Sequence, residues 1–369
     1  MCNRIEFATL ALLLSCAPAS AQVKSGDLSA GIDGVFSEID GGSQPGCAAG
    51  VIHDGEYIHA AGYGLANLEY GIPIRRNTVF RTGSVSKQFT AMAIAILAER
   101  GDLDLDADVH EYLPDLMDYG HEVTIRQMIH HLAGMGDYDA EQFGKADGSE
   151  FRFGNEDYLA IEEFYEVVTQ VPLGHEPGSK WQYSNLGYFL LSQVVERASG
   201  KTLRQFADDE IFGPLGMKAS LFNDNVNQPV ANRADGYRRM EDGSYEIFMT
   251  NLSWVGDGGV YTNLDDFIAW DRNFYNNKLG KGGEALITTV TTPHPDADGY
   301  AFGLGVSTQN GDRVIAHSGG WVAFSAYYRR YPDLALSVAV FCNTTAASAP
   351  RMGAQIAELA LARVKGQQQ

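Results

Sequence analysis

The sequence predicts an α+β fold in which an antiparallel sheet is assembled from both ends of the chain and a helical domain is inserted between them. Three observations point there. Strand patterns gather near the two ends, the middle carries helical periodicity with no convincing strand run, and the composition supports a sizeable core. The chain has 369 residues, 45% hydrophobic and 20% charged, with 41 glycines, the apolar content of a globular protein. The expected layout is a discontinuous sheet domain, 22–105 with 235–369, around a helical domain, 106–234, with a ligand cleft where the two meet.

Taken in order, residues 1–21 read as a secretory signal. Asn3-Arg4 precedes an apolar run from Phe7 to Leu14, and Ala19-Ser20-Ala21 supplies small residues for cleavage before Gln22. The run is too short for an ordinary transmembrane helix, and no later stretch approaches the roughly 20 apolar residues that one needs. The expectation is an exported protein, periplasmic or secreted, with no transmembrane span. The weaker alternative is a lipoprotein signal at Leu13-Leu14-Ser15-Cys16, whose Leu14 fits that pattern poorly. Cleavage leaves Cys47 and Cys342 in a compartment that permits disulfides, so one bridge or two buried thiols are both open.

Cys47 to Tyr63 reads as a β-hairpin around His53-Asp54-Gly55. A helix follows Thr82-Gly83, with Phe89, Met92, Ala93, Ile96 and Leu97 at helical spacing until Arg100-Gly101, and it is expected to be buried along one side. From about Asp106 to Gly216 the reading is mostly helical: Val123–Leu132 capped by Thr124, Glu156–Thr169, and Tyr188–Ala198 stopped by Ser199-Gly200. Strands return at Tyr300–Ser307, Arg313–His317, Phe324–Tyr331 and Leu334–Phe341, and an amphipathic helix, Ala354–Val364, closes the fold. Lys+Arg 27 against Asp+Glu 47 gives a net charge of −20, which repels phosphate backbones and argues against a nucleic-acid partner.

Three short segments carry chemistry. Ser84-Val85-Ser86-Lys87 sets a serine and a lysine three residues apart at a helix N-terminus, on one face. A serine hydroxyl needs a neighbour to take its proton, and an unprotonated amine can do so, while free helical N–H groups favour developing negative charge. Next, Tyr183-Ser184-Asn185 follows a turn-rich loop: the phenol can relay a proton, and the amide can fix a substrate carbonyl or the lysine. Last, His317-Ser318-Gly319-Gly320 follows a short strand, where the glycines let a substrate backbone approach and the Gly320 and Ser84 N–H groups can form an oxyanion hole.

In order and spacing, Ser-x-x-Lys, Tyr-x-Asn and a basic residue followed by Ser-Gly resemble the active-site set of the serine β-lactamase and penicillin-binding protein superfamily. The closest likeness is to class C β-lactamase-like hydrolases: D-alanyl-D-alanine carboxypeptidases, D-aminopeptidases and esterases, the serine peptidases of the S12 type. Thr78–Thr90, Gly62–Asn67, Val123–His131, Gly258–Thr262 and Phe302–Val306 carry the same resemblance. It implies a β-lactamase/transpeptidase-like fold, a small-molecule or peptide substrate, and acyl transfer through a serine ester without metal or other cofactor. On that likeness Ser84 is the nucleophile and Lys87 with Tyr183 moves protons. Asn185, His317, Ser318, Gly319 and Gly320 bind substrate.

One departure stands out: many relatives carry lysine where this chain has His317, and a histidine is only partly protonated near neutral pH. A free D-Ala C-terminus or a penicillin is therefore less secure as substrate, and an ester, amide or blocked peptide gains. The rival of another class is a binding or sensor protein that keeps the fold without turnover. His130-His131 lack the spacing of a zinc pair and are expected on the helix surface or in domain packing. Trp321 lines the acyl pocket or packs under the sheet. Gly303-Leu304-Gly305 lacks the third glycine of a dinucleotide fingerprint. Oligomeric state is left open.

Overall fold

The computed structural model describes residues 25–39, 42–136 and 160–367. The expected signal segment, Cys2 and Cys16 with it, and the first residues of the Glu156–Thr169 helix lie outside them.

Six strands form the main sheet: β1 (Cys47–His53), β2 (Glu56–Tyr63), β3 (Gly305–Gln309), β4 (Asp312–Trp321), β5 (Phe324–Tyr331) and β6 (Leu336–Cys342). Their order is β3-β4-β5-β6-β1-β2, antiparallel throughout, so the two chain ends meet where β6 pairs with β1. β1 and β6 are buried almost along their whole length because both faces of the sheet are covered. Side-chain alternation divides them between two cores. Cys47, Ala49 and Val51, with Val338 and Val340, pack under α1 (Ser25–Val35) and α7 (Ala349–Gln367) through Leu28, Ile32, Ile356 and Ala360. Ala48, Ala339 and Phe341 face the opposite way into a larger core that continues without a break into the helical part through Phe89, Phe164 and Phe189.

The hairpin turns at Asp54 and Gly55, both with positive φ (51° and 74°), as a two-residue Asp-Gly turn requires. Cys47 sits directly opposite Cys342 in the register, Cα atoms 4.0 Å apart, and the two are disulfide-bonded. The open alternative thus resolves to the bridge.

Between the sheet segments lie α2 (Lys87–Arg100), α3 (Ile125–Ile129), α4 (Ile161–Val168), α5 (Asn185–Ser199) and α6 (Leu264–Asn273). α2 departs from expectation: it is buried on every side from Lys87 to Leu97, because its Ala-Met-Ala-Ile-Ala-Ile-Leu run has no polar face to turn outward. Gly101, φ 83°, ends it. α3 is shorter than Val123–Leu132. Thr124 caps it with a reciprocal bond from Gln127, and His131, at φ 60°, bends the chain away. α5 begins three residues before Tyr188, capped by Ser184 on Gly187 N, and stops at Gly200. The described part of 106–216 is thus short helices joined by irregular backbone, and Leu221–Phe222 adds a strand that pairs with Val260–Thr262, which in turn pairs with Phe80–Arg81.

Two late strands are placed differently. Tyr300–Leu304 is a loop and β3 starts only at Gly305, since Gly303 turns at φ 70° with its Cα against the start of α2: a Cβ there would lie 2.5 Å from Lys87 C and Gln88 N. β4 runs on past His317 to Trp321, keeping both glycines in the ladder with β5. Pro332–Leu334 is a single 3-10 turn, and β6 starts at Leu336. No helix among the described residues is long and apolar enough to cross a membrane.

Candidate active site

Ser84 lies in one 3-10 turn, Gly83–Ser86, directly ahead of α2. Backbone contacts hold the turn from two sides. Thr82 N donates to Val260 O (2.9 Å) and Val260 N donates to Ser86 Oγ (3.0 Å), which ties it to the Val260–Thr262 strand. From the other side β4 presses on it. A Cβ on Gly319 would stand 2.0 Å from Thr82 O and 2.9 Å from Ser84 N, so no side chain fits. Gly319 was expected to make room for a substrate backbone. It makes room for the protein's own Ser84 turn, while exposed Gly320 faces the open cleft. Gly83, at φ 51°, has Gly320 N 2.6 Å from where a Cβ would be, so the Ser84 and Gly320 amides are neighbours.

Lys87 has no exposed surface. Its Nζ donates to Asp257 O (2.6 Å) and Asn185 Oδ1 (2.7 Å) and stands 3.3 Å from Ser84 Oγ. Asp257 O and Asn185 Oδ1 can only accept, so they take two N–H bonds. The third position faces a hydroxyl that can donate in turn. In the neutral amine that third position is the lone pair, pointed at the Ser84 proton.

Asn185 opens α5, and the cap that starts the helix also orients it: Ser184 Oγ accepts from Gly187 N (2.9 Å) and donates to Gly136 O (2.7 Å). The Tyr183 ring lies 4.9 Å from Lys87 Nζ. Its holder is His131. The His131 carbonyl accepts from Gln182 N (2.9 Å) and its Nδ1 accepts from Ser184 N (3.1 Å), so the peptide is pinned on both sides of Tyr183, with the two rings 4.3 Å apart. Burial, then the nearby Lys87, pushes the His131 imidazole well below its ordinary range, which keeps Nδ1 an acceptor. His130 is buried too, donating from Nδ1 to Arg126 O (2.8 Å) beside Phe302 and His294. Neither histidine lies on the helix surface; both are packing residues, and His131 reaches the site.

His317 projects from β4 on the same face as Gly319. Its Nδ1–H donates to Ser318 O (2.6 Å), and its Nε2 accepts from the Tyr300 hydroxyl (2.9 Å). Burial and then Lys87 hold its pKa down to about 4, while burial keeps Tyr300 protonated far above neutrality. The ring is therefore neutral at pH 7, with both nitrogens engaged. Ser318 alternates to the other face of β4 and is exposed. β3 pairs with β4 only as far as Ala316, which leaves the Ser318–Trp321 edge without a neighbouring strand among the described residues. Trp321 lines the cleft with Ser84, Asn185, Trp254 and Arg81, its Nε1 donating to Thr250 Oγ1 (2.8 Å). No cluster of His, Cys, Asp or Glu suited to a metal ion occurs among the described residues.

The geometry therefore joins a serine, a buried lysine, a tyrosine and an asparagine around two adjacent amides, and the family description for beta-lactamase matches residues 32–361. This chain belongs to the beta-lactamase family. Among the family's curated proteins it is 28% identical over 310 residues to a D-aminopeptidase of Cereibacter sphaeroides, covering 82% of this chain and 58% of that one. It is 35% identical over 284 residues to esterase EstB of Burkholderia gladioli, covering 68% and 71%. Of solved structures, the octameric penicillin-binding protein homologue from Pyrococcus abyssi superposes with a TM-score of 0.77 at 25% identity, over 91% of this chain and 76% of that one. The chain spans less than two-thirds of the length of the aminopeptidase.

Sequence reasoning missed Tyr300, His131 and Arg81 as neighbours of the candidate site. Tyr300 was read as strand and His131 as packing. Arg81 stood unremarked inside the segment that carried the resemblance.

Proposed function

We propose that this chain is an exported serine hydrolase that cleaves an amide or ester through a covalent acyl-serine intermediate. The observation that carries this reading is the position of the Lys87 amine: two pure acceptors fix Nζ so that its remaining direction meets Ser84 Oγ.

Ser84 Oγ attacks the carbonyl carbon as its proton passes to Lys87, and the carbonyl oxygen, now anionic, lies between the Ser84 and Gly320 N–H groups. Tyr183, held by His131 next to Lys87, passes the proton to the leaving amine or alkoxide as the C–N or C–O bond breaks. Water then adds to the ester, its proton returning along the same path, and Ser84 is regenerated with a carboxylic acid released. Asn185 holds both Lys87 and the substrate carbonyl region, and the open edge of β4 at Ser318 to Gly320 offers backbone groups to an extended acyl chain. The D-aminopeptidase and esterase relatives, one acting on an amine leaving group and the other on an alcohol, support a site that accepts either. Neutral His317 provides no cation for a substrate carboxylate on β4. Export is supported by the Cys47–Cys342 bridge, which persists in oxidising compartments. We carry the division into 22–105 with 235–369 and 106–234 forward as part of this proposal.

Intact-mass spectrometry tests it. The mature protein is mixed for seconds and for hours with a p-nitrophenyl ester, a D-amino-acid amide and a penicillin, beside Ser84→Ala and Lys87→Met. The expected result is product or a Ser84 adduct from the ester or amide, lost in both variants, and a mature mass beginning at Gln22. Unchanged turnover in Ser84→Ala overturns the mechanism.

A further inference from the structure

We propose that the cleft beside Ser84 contains a carboxylate-binding subsite built on Arg81, so that the preferred acyl donor carries a carboxylate. This deepens the acyl-hydrolase reading and rests on it.

Arg81 lies three residues before Ser84, is 4% exposed, and lines the same cleft as Ser84, Gly320 and Trp321. Its Nε and Nη1 are buried without a hydrogen-bond partner, and no ion pair of Arg81 occurs among the described residues. Its guanidinium carbon instead stands over the Trp321 ring, 6.0 Å from the centroid. A buried cation without an anion is costly to fold around, and unpaired N–H donors add to the cost. A carboxylate entering the cleft supplies the missing anion, and the planar fork of arginine matches two carboxylate oxygens along the edge it meets.

Beside it, a Cβ on Gly258 would lie 3.8 Å from Gly83 O and 4.0 Å from Arg81 Nη2, in ordinary contact, so the bare glycine leaves about a methyl's space open between the Ser84 turn and the guanidinium. β4 cannot supply the charge, since His317 is neutral with both nitrogens engaged. The positive charge for an anionic substrate group thus sits on the Arg81 side of Ser84, walled by Trp321 and Trp254.

The test compares p-nitrophenyl butyrate with the mono-p-nitrophenyl ester of glutaric acid, which differs chiefly in a terminal carboxylate. In the wild type kcat/KM favours the charged ester by about tenfold or more, the scale of one charge-assisted pair. In Arg81→Gln the ratio of the two falls to about one, and in Arg81→Lys part of it returns. A wild-type ratio near one, or an unchanged ratio in Arg81→Gln, overturns the subsite. Should the Arg81 variants not fold, inhibition of butyrate hydrolysis in the wild type decides: N-acetyl-D-alanine inhibits and N-acetyl-D-alaninamide does not, and equal inhibition refutes the proposal. If neither ester is hydrolysed, the ester half of the hydrolase reading fails by itself. Calorimetry of the same acid and amide on Ser84→Ala then supports the subsite if the acid binds more tightly and overturns it if they bind alike.

Discussion

Lowering the pH from 7 to 5 should destabilise the fold through the histidines packed around the site. Burial, with repulsion from Lys87, holds His317 down to about 4, and burial also holds His130 at about 4, against an ordinary value of 6.5. Between those values the unfolded chain binds a proton that the native chain refuses. The stability is therefore fully present above pH 6.5 and is lost as the pH falls toward 4. At pH 5 the linkage amounts to about 2 kcal/mol for each of the two residues. His131, pushed well below 6.5, acts in the same direction. His110 acts against it: burial lowers its pKa, but bonds to Met117 O and Asp108 outweigh burial and raise it. The informative quantity is thus the difference between variants. Urea unfolding of wild type, His130→Gln and His317→Gln at pH 7 and pH 5 should show the pH-induced loss shrinking by about 2 kcal/mol in each single variant. A loss as large in His130→Gln as in wild type would refute the claim that burial keeps this imidazole neutral. The same result for His317→Gln would mean that His317 is protonated near pH 6 and does not accept from Tyr300.

Three further outcomes follow from contacts around Ser84 and from the bridge between the two chain ends. Gly319→Ala drives a methyl into Thr82 O and displaces the nucleophile turn, costing about 1–3 kcal/mol of stability with near-complete loss of acylation, read by thermal unfolding and intact mass. His131→Ala releases the peptide on either side of Tyr183 and should lower kcat on the order of 10²-fold with less change in KM, since misplacing a catalytic group by 1 Å costs about that much. Reducing the Cys47–Cys342 bridge, which closes a loop of 295 residues, should cost about 2–5 kcal/mol in urea, and Cys342→Ala should be insensitive to reductant.

Much of the fold was legible because its signals are local. The Asp54-Gly55 turn, the Thr124 cap and the Gly101 and Gly200 helix stops depend on a few adjacent residues, and strand alternation at both chain ends implied one sheet. What escaped depends on register or on contacts between distant segments. Whether Cys47 and Cys342 bond is decided by which residue stands opposite which across β1 and β6. Tyr300 read as strand since its segment is apolar, but Gly303 must turn against α2, and that turn delivers the hydroxyl to His317.

The site divides along the same line. Ser84, Lys87, Tyr183 and Asn185, which the structure brings together, could be singled out in the sequence because the proposed acyl transfer calls for such functional groups, and each announces its chemistry in its side chain. Their placement is carried by atoms with no such signature: Val260 N on Ser86, the missing Cβ of Gly319 against Thr82 and Ser84, and the His131 carbonyl under Gln182. An imidazole can pin a loop or transfer a proton, and only its partners tell which. His131 accepts from a peptide N–H and so pins; His317 is held between a carbonyl and a buried phenol and so is spent. Arg81 is the converse case, a side chain of obvious chemistry whose partner the described residues do not contain. Its buried Nε and Nη1 find no partner among the described residues, and that imbalance is what points to the substrate.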